Sequence, residues 1–388
     1  MRDPINSTIT GIKPSGIRKF FDVVSEMKDA ISLGVGEPDF DTPWHIREEG
    51  IYSLEKGRGH YTSNAGLIEL RHEIAAYMDR RFGLGYDAVK EILVTIGGSE
   101  AIDLGLRVML DPGDEVIIPQ PSYVSYEPCT IMAGGTPKIV ELKAEDDFRL
   151  NPKALLDAIT PKTKVLVLPF PNNPTGAVMG AEYLEEIAKI VIQKDLFVIS
   201  DEIYAELTYG QKHASIAQFE GMKERTVVIN GFSKAYAMTG WRLGFACGPV
   251  NIIKQMTKLH QFAIMCAPTT SQYAAIEALK KGDDDVARMC EAYDARRRFL
   301  LHELNRMGLS CFEAKGAFYV FPCIRHLGMT SEEFATDLLK EERVAVVPGT
   351  AFGDCGEGFL RISYAYSIEK LKTALQRIER YLNQKGKV

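Results

Sequence analysis

The chain has 388 residues, of which 46% are hydrophobic and 25% charged, with a formal net charge of −6 at pH 7. Because a domain averages about 150 residues, this length predicts two or three domains with a large buried core. The acidic balance argues against nucleic-acid binding, and the sequence has no apolar run of about 18 residues that predicts a membrane span.

The seven cysteines are scattered along the sequence and form no Cys-x-x-Cys pair. This pattern predicts neither a disulfide framework nor a zinc site, so we expect free thiols and no bound metal. Residues 1–20 lack the apolar segment of a signal peptide. We therefore expect a cytoplasmic protein.

From residue 91 onward, short runs rich in Val and Ile alternate with helical patterns, which is typical of a parallel sheet covered by helices on both faces. In chain order, the predicted strands are EILVTI, EVIIP, KVLVLPF, LFVIS and TVVIN. The predicted helices cover about residues 66–80, 99–110, 123–132, 151–159 and 180–193. Asn64 is a candidate N-cap for the first of these helices.

After about residue 268 the sequence changes to long, charge-rich helical stretches, and the three arginines at 296–298 are interpreted as a solvated helix face. Short predicted strands and a last helix then follow, at about 317–321, 344–347, 358–362 and 367–384. The predicted fold class is α/β. We expect a large domain with a mostly parallel sheet between helices at residues 47–279, and a smaller α+β domain formed by residues 1–46 and 280–388.

Four of the predicted strands lead into unusual segments, and ligands of open parallel sheets bind at the carboxyl ends of strands. The first strand leads into GGSEA, a glycine-rich helix start whose free N–H groups suit a phosphate. The third leads into PNNPTG, the fourth into DEIY and the fifth into GFSKAYAMTGWRLGF. The reactive side chains of these three segments are Asn173, Asp201, Tyr204, Ser233, Lys234 and Arg242.

Together these residues match the chemical needs of pyridoxal 5'-phosphate. Its aldehyde needs a lysine, and its ring nitrogen needs a carboxylate to stay protonated. Its phosphate needs backbone N–H groups and a bidentate arginine. Each segment alone also fits an ordinary role, such as a surface lysine, a helix-capping aspartate or a turn. The prediction therefore depends on their order and their shared position at strand ends.

The segments LGVGEPDF, PNNPTG, SDEIY, SKAYAMTGWRLG and LRIS occur in an order that resembles the class I/II aminotransferases, a pyridoxal-phosphate-dependent family of fold type I. The resemblance covers nearly the whole chain. It implies that Lys234 binds the cofactor aldehyde and moves a proton during catalysis, with Asp201 paired to the ring nitrogen. It also implies that Tyr204 and Asn173 hydrogen-bond the ring oxygen.

The resemblance assigns the remaining site residues as well. Arg242 and Ser233 would hold the phosphate, and Tyr123 would stack on the cofactor ring. Tyr61 would reach the phosphate of the neighbouring subunit in a homodimer. The backbone around Gly98, Ser99 and Glu100 would complete the phosphate site, and the α-carboxylate of the substrate would be bound by Gly36, Asn173 and Arg361.

Two positions depart from the pattern of the family. Gly231 stands where many relatives have a serine, which leaves the phosphate role of Ser233 open. Ser99 stands where aspartate-using members of the closest subgroup often have a lysine, which argues against an aspartate-specific enzyme.

Ile17 and Tyr123 would give the substrate site an apolar edge that favours aromatic or other long side chains, whereas Arg18 or Lys19 would suit an acidic one.

The predicted function is a ping-pong transfer of an amino group from an L-amino acid to a 2-oxo acid such as 2-oxoglutarate. An aspartate aminotransferase and a carbon–sulfur β-lyase with the same cofactor stay open as alternatives. The related domains of transcription regulators need a preceding DNA-binding module, and VGEPDF begins at residue 35, too early for one. A dinucleotide-binding enzyme is disfavoured because no complete G-x-G-x-x-G follows a strand.

Overall fold

The structure is a computed structural model and describes residues 4–14, 16, 27 and 29–386. The described helices are α1 Ser7–Gly11, α2 Trp44–Glu55, α3 Ile68–Phe82, α4 Gly97–Met109, α5 Tyr126–Met132, α6 Pro152–Ala158, α7 Ala181–Gln193, α8 Val250–Ala263, α9 Thr269–Lys281, α10 Asp283–Arg306, α11 Ser331–Glu342 and α12 Ile368–Gln384. The strands are β1 Ile31–Ser32, β2 Ile92–Thr95, β3 Glu115–Gln120, β4 Thr136–Glu141, β5 Thr163–Leu168, β6 Phe197–Asp201, β7 Thr226–Gly231, β8 Gly244–Cys247, β9 Tyr319–Val320, β10 Val344–Ala345, β11 Val347–Pro348 and β12 Leu360–Ser363.

The central sheet has seven strands in the order β2-β8-β7-β6-β5-β3-β4. Strands β3 to β7 pair in parallel, and only β8 runs antiparallel to its two neighbours. The predicted α/β fold with a mostly parallel sheet is therefore confirmed. Because β5, β6 and β7 are adjacent and parallel, the segments that follow them meet at one edge of the sheet.

The sheet is buried on both faces because its strands are apolar on both sides. In β5, Val165 and Val167 pack in a cluster with Ile102 and Leu106 of α4. The alternate residues of β5 face the opposite way, and Leu168 belongs to a cluster with other apolar residues that includes Leu184 and Ile187 of α7. The continuous VLVL run is thus explained by burial between two helical layers.

A second, smaller sheet has the order β11-β12-β9, and β1 pairs in parallel with β10 through Ile31 and Val344. These strands share an apolar cluster with α10, α11 and α12, to which Tyr293, Leu338 and Ile378 contribute. The pairing of β1 with β10 joins the N-terminal part of the chain to its C-terminal part, as the proposed small domain requires. The boundaries at 47 and 279 stay a prediction.

Several features differ from the predictions. Strands β1, β4 and β8 and helices α1, α2, α8 and α11 were not predicted. Asn64 does not cap α3, since the helix begins at Ile68 and the Asn64 amide donates to the carbonyl of Met265 at 2.8 Å. The arginines at 296–298 are not all solvated, because Arg297 is buried and donates to Asp294 and to the carbonyl of Ala314.

All seven cysteines are free in the structure. Within residues 4–14, 16, 27 and 29–386, no helix combines the length and the apolar character needed to cross a membrane.

Candidate active site

A cavity of about 620 Å³ lies where the carboxyl ends of β5, β6 and β7 meet the small sheet. Its wall contains every residue that the sequence predicts for the site except Glu100, Tyr61 and Ile17. The predicted residues that line it are Gly36, Gly98, Ser99, Tyr123, Asn173, Asp201, Tyr204, Ser233, Lys234, Arg242 and Arg361. Segments far apart in the chain therefore form a single site.

Lys234 follows β7, and its ammonium group is held inside the cavity. Its Nζ donates to the carbonyl of Gly36 at 2.6 Å and lies 5.8 Å from the ring centre of Tyr204. Burial lowers the pKa of Lys234 to about 8; Glu37 opposes this shift, while Arg361 adds to it. A lysine with such a pKa is still mostly protonated at pH 7, but its uncharged fraction is far larger than that of an ordinary lysine, which suits a nucleophile or a general base.

Asp201 is the last residue of β6 and is buried. Its Oδ2 accepts from the hydroxyl of Tyr126 at 2.7 Å, and its Oδ1 accepts from the N–H of Ile203 at 3.2 Å. Burial raises the pKa of Asp201, whereas the bond from Tyr126 acts in the opposite direction. An ionised carboxylate at this depth is stabilised by a cation placed against it, which is what a protonated pyridine ring offers.

The start of α4 and the side chain of Arg242 form an anion cradle. Gly97 has φ of +73°, and a Cβ there would lie 2.8 Å from Nη2 of Arg242, so a larger residue would displace the guanidinium. Arg242 is itself held by a bond from Nη1 to the carbonyl of Thr239 at 3.0 Å. Free N–H groups of a helix start next to a guanidinium suit a phosphate.

The structure also gives a physical reason for the glycine at position 231. A Cβ on Gly231 would lie 2.9 Å from the Cα of Gly244 and 3.1 Å from the carbonyl oxygen of Leu243. A serine therefore does not fit here without moving strand β8. Ser233 is buried and lines the cavity, but its bond to a phosphate stays a prediction.

Arg361, in β12, is buried and lines the same cavity. Its Nη1 donates to Oδ1 of Asn173 at 2.8 Å, and its Nη2 donates to the carbonyl of Gly34. Burial lowers the pKa of Arg361, and its Nε has no hydrogen-bond partner among the described residues. A buried guanidinium with donor capacity left over is chemically suited to a carboxylate, and this role of Arg361 stays a prediction.

Three predicted residues do not line the cavity. The Glu100 carboxylate accepts from the N–H of Ile96 at 2.5 Å and from Nδ1 of His260 at 2.7 Å, so any role in phosphate binding rests on its backbone and stays a prediction. Tyr61 is 83% exposed. Ile17 lies outside the described residues, so its predicted contact with the substrate stays a prediction.

Two tyrosines of the cavity wall were missed by the sequence analysis. Tyr126 donates to Asp201, and the hydroxyl of Tyr319 lies 2.8 Å from the hydroxyl of Tyr204. A weak indication of Tyr126 was its place in the segment QPSYVSY, three residues after Tyr123, at the start of a helix where its side chain is buried. No motif in the sequence indicated Tyr319.

The donor set of the cavity fits pyridoxal phosphate. An amine, a buried carboxylate and an anion cradle, provided by Lys234, Asp201 and Arg242, all open into the same cavity of about 620 Å³. The carboxylate lacks a cationic hydrogen-bond partner among the described residues, since its recorded partners are Tyr126 and the N–H of Ile203. The chemistry of each group thus corresponds to one part of the cofactor.

Comparisons with known proteins identify the family of the chain. A family model described as aminotransferase class I and II matches residues 28–378. An aspartate aminotransferase of Pyrococcus abyssi is 48% identical over 96% of this chain and 97% of its own length, and an aromatic-amino-acid aminotransferase of Thermococcus litoralis is 45% identical over 96% and 97%. The crystal structure of an aromatic aminotransferase from Pyrococcus horikoshii superposes with a TM-score of 0.91, at 48% identity over 96% of this chain and 100% of that one. With a matching family model over most of its length and an active-site cavity suited to the cofactor, the chain belongs to the class I and II aminotransferases, enzymes of fold type I that depend on pyridoxal phosphate.

Proposed function

We propose that this aminotransferase takes the amino group of an L-amino acid with an aromatic or other long side chain and gives it to a 2-oxo acid such as 2-oxoglutarate, in a ping-pong exchange. The main supporting observation is that Lys234, Asp201 and Arg361 face one cavity. When bound, pyridoxal phosphate supplies an electron sink for the negative charge left on the substrate α-carbon.

In this proposal Lys234 moves the proton of the reaction. Its pKa of about 8 allows the free amine to accept a proton from the α-carbon and to return it. The carbonyl of Gly36, 2.6 Å from Nζ, orients the amine on the substrate side of the cavity. This contact restricts the positions that the amine can take in the cavity, which favours a productive orientation toward the substrate.

Asp201 would pair with the ring nitrogen of the cofactor and supply a negative charge to it. The donors Tyr126 and Ile203 fix both carboxylate oxygens, which holds the carboxylate in one orientation. A fixed carboxylate in a buried site favours a protonated ring nitrogen more strongly than the same group does in water.

Arg361 orients the substrate. Its guanidinium, held by Asn173 and Gly34, offers the α-carboxylate a planar pair of donors. With the carboxylate fixed there, the α-hydrogen of the substrate is presented toward Lys234, which lines the same cavity.

The lining of the cavity supports a long apolar side chain. The cationic residues of the described lining are Lys234, Arg242 and Arg361, and each of them already has a role in this proposal. Tyr123 and Ile102 offer apolar surface instead. The relatives include both an aromatic-amino-acid aminotransferase and an aspartate aminotransferase. Similarity alone therefore does not identify the amino donor, and an activity assay is needed.

A panel of amino donors assayed with 2-oxoglutarate tests the proposed substrate. We expect kcat/KM for phenylalanine or tyrosine to exceed that for aspartate by about tenfold or more, because a second carboxylate finds no free cation in the described lining. A preference for aspartate would refute the proposed donor. Release of pyruvate and sulfide from cystathionine, without amino transfer, would refute transamination itself and favour a β-lyase.

We also propose that the enzyme is a homodimer in which Tyr61 reaches the neighbouring phosphate site. Tyr61 and Phe262 are 83% and 82% exposed in the single chain. They belong to adjoining segments, since Asn64 donates to Met265 and Thr269 donates to the carbonyl of His60. Large exposed aromatic side chains in neighbouring segments are typical of a surface covered by another protein chain.

A mixing experiment tests the shared site. Tyr61→Ala is expected to lower activity by about tenfold through the loss of a charge-assisted hydrogen bond to phosphate, and Lys234→Ala is expected to be inactive. In dimers formed by co-expression of the two variants, half are mixed and each mixed dimer has one intact site, so we expect about a quarter of the wild-type activity. Activity no higher than that of Tyr61→Ala alone, diluted by half, would show that Tyr61 acts within its own subunit or not at all.

A further inference from the structure

Tyr319 is a buried residue of the cavity wall whose hydroxyl contacts the proposed cofactor-binding phenol. Its Oη lies 2.8 Å from Oη of Tyr204, and the two rings meet edge to face with centres 5.9 Å apart. Both side chains are buried and line the cavity. The pair is thus a direct link between the small sheet, through β9, and the segment that follows Asp201.

The same ring also supports the carboxylate-binding arginine. The guanidinium of Arg361 lies 4.5 Å from the ring centre of Tyr319. The Tyr319 hydroxyl packs tightly against the loop after β1, since a Cβ on Gly36 would lie only 2.5 Å from the hydroxyl oxygen. Tyr319 therefore touches both halves of the proposed site, the phenol on the cofactor side and the guanidinium on the substrate side.

Counting hydrogens gives the direction of the bond between the two phenols. Each hydroxyl has one hydrogen to donate and lone pairs to accept with. If Tyr204 gives its hydrogen to an anionic ring oxygen of the cofactor, its own oxygen is left as a buried acceptor, and the Tyr319 hydroxyl is the group within reach at 2.8 Å. A phenol that accepts such a bond becomes a stronger donor, because hydrogen bonds in a chain polarise one another.

We propose that Tyr319 is a positioning residue of the transamination site: its hydroxyl strengthens the hydrogen bond from Tyr204 to the cofactor, and its ring holds Arg361 in place for the substrate carboxylate. This inference rests on the proposed function, in which Tyr204 donates to the ring oxygen and Arg361 binds the α-carboxylate.

Two substitutions separate the two roles. Tyr319→Phe removes the hydroxyl and keeps the ring under Arg361, so kcat is expected to fall about tenfold while KM for the amino donor changes by less than about threefold. With a weaker donor at Tyr204, negative charge on the ring oxygen is less stabilised. The pH midpoint of the bound cofactor's visible absorbance is then expected to rise by about half a unit or more. Tyr319→Leu also removes the ring, and KM is expected to rise about tenfold.

Tyr364→Phe is the matched control. Tyr364 is equally buried and donates to the carbonyl of Ala317 at 3.0 Å, but it does not line the cavity, and Tyr209 donates to the same carbonyl. This variant is expected to keep the wild-type absorbance midpoint and kcat, which shows that loss of a buried phenol is not sufficient. Denaturant midpoints of the three variants without cofactor identify any general loss of folding.

A wild-type absorbance midpoint and a wild-type kcat in Tyr319→Phe would overturn the proposal. This result differs from failure of the proposed function, which would appear as absence of amino transfer in the wild-type protein itself with every donor. A shifted absorbance midpoint in Tyr319→Phe, found together with a wild-type protein that transfers no amino group, would support the effect of Tyr319 on the cofactor. The same result would refute transamination as the function of the site.

Discussion

Replacing Lys234 by alanine is expected to lower amino transfer by about 10⁴-fold, because the substitution removes both the nucleophile for the cofactor and the base for the substrate α-carbon. We expect the rest of the cavity wall to be kept, since the substitution shortens one side chain in the segment that follows β7. Steady-state transfer from the best donor to 2-oxoglutarate, measured with protein saturated in pyridoxal phosphate, gives the ratio directly.

Lys189→Ala is the control for this substitution. Lys189 lies on the solvent face of α7 and pairs there with Glu185, so its loss is expected to leave kcat within about twofold of the wild type. Activity of the Lys234→Ala enzyme within about tenfold of the wild type would show that another group performs the proton transfer.

Asp201→Asn is expected to reduce kcat by about 10²-fold to 10³-fold. The amide has the shape of the carboxylate, and its one oxygen can still accept from the N–H of Ile203 while its NH2 group donates to the hydroxyl oxygen of Tyr126. It no longer places a negative charge beside the ring nitrogen. The nitrogen then loses its proton more readily, and the ring becomes a poorer electron sink. The affinity for pyridoxal phosphate is expected to fall in parallel, which equilibrium dialysis of the cofactor-free protein measures.

The control for the charge is Asp195→Asn. Asp195 is exposed and pairs with Arg225 at 2.9 Å, so the substitution removes one carboxylate without touching the cavity. Both cofactor affinity and kcat are expected to stay within about twofold of the wild type. If Asp201→Asn behaved like this control, the ring nitrogen would not depend on that carboxylate.

Much of the site was predictable from the sequence because reactive residues lie at the ends of strands. The positions of these strands along the chain could be recognised from the alternation of Val-rich runs and helical patterns. Asp201 ends β6 and Lys234 lies in the segment that follows β7, and adjacent parallel strands bring their carboxyl ends together. The binding site for the substrate carboxylate was less evident. Arg361 lies in β12, and only the resemblance connected it with residues nearly two hundred positions earlier.

The missed features depend on contacts between distant segments. Tyr319 acquires its meaning from Tyr204 and Arg361, which meet it only in the folded chain. Strand β8 was hidden because GFAC is four residues long and follows a motif that was interpreted for its chemistry. Strand β4 is an edge strand with Pro137 and polar residues, so its apolar pattern is weak. Arg297 looked solvated because its neighbours in the sequence are charged, whereas its partner is the carbonyl of Ala314.

Reduction of the cofactor-loaded protein with borohydride, followed by proteolysis and peptide mass spectrometry, tests the account most directly. We expect one modified lysine, Lys234, carrying the mass of the reduced pyridoxyl phosphate group. The modification is predicted to be absent when the protein is reduced without cofactor. A stoichiometric adduct on a different lysine, or none on Lys234 in protein that transfers amino groups, would contradict the assignment of this cavity as the catalytic site.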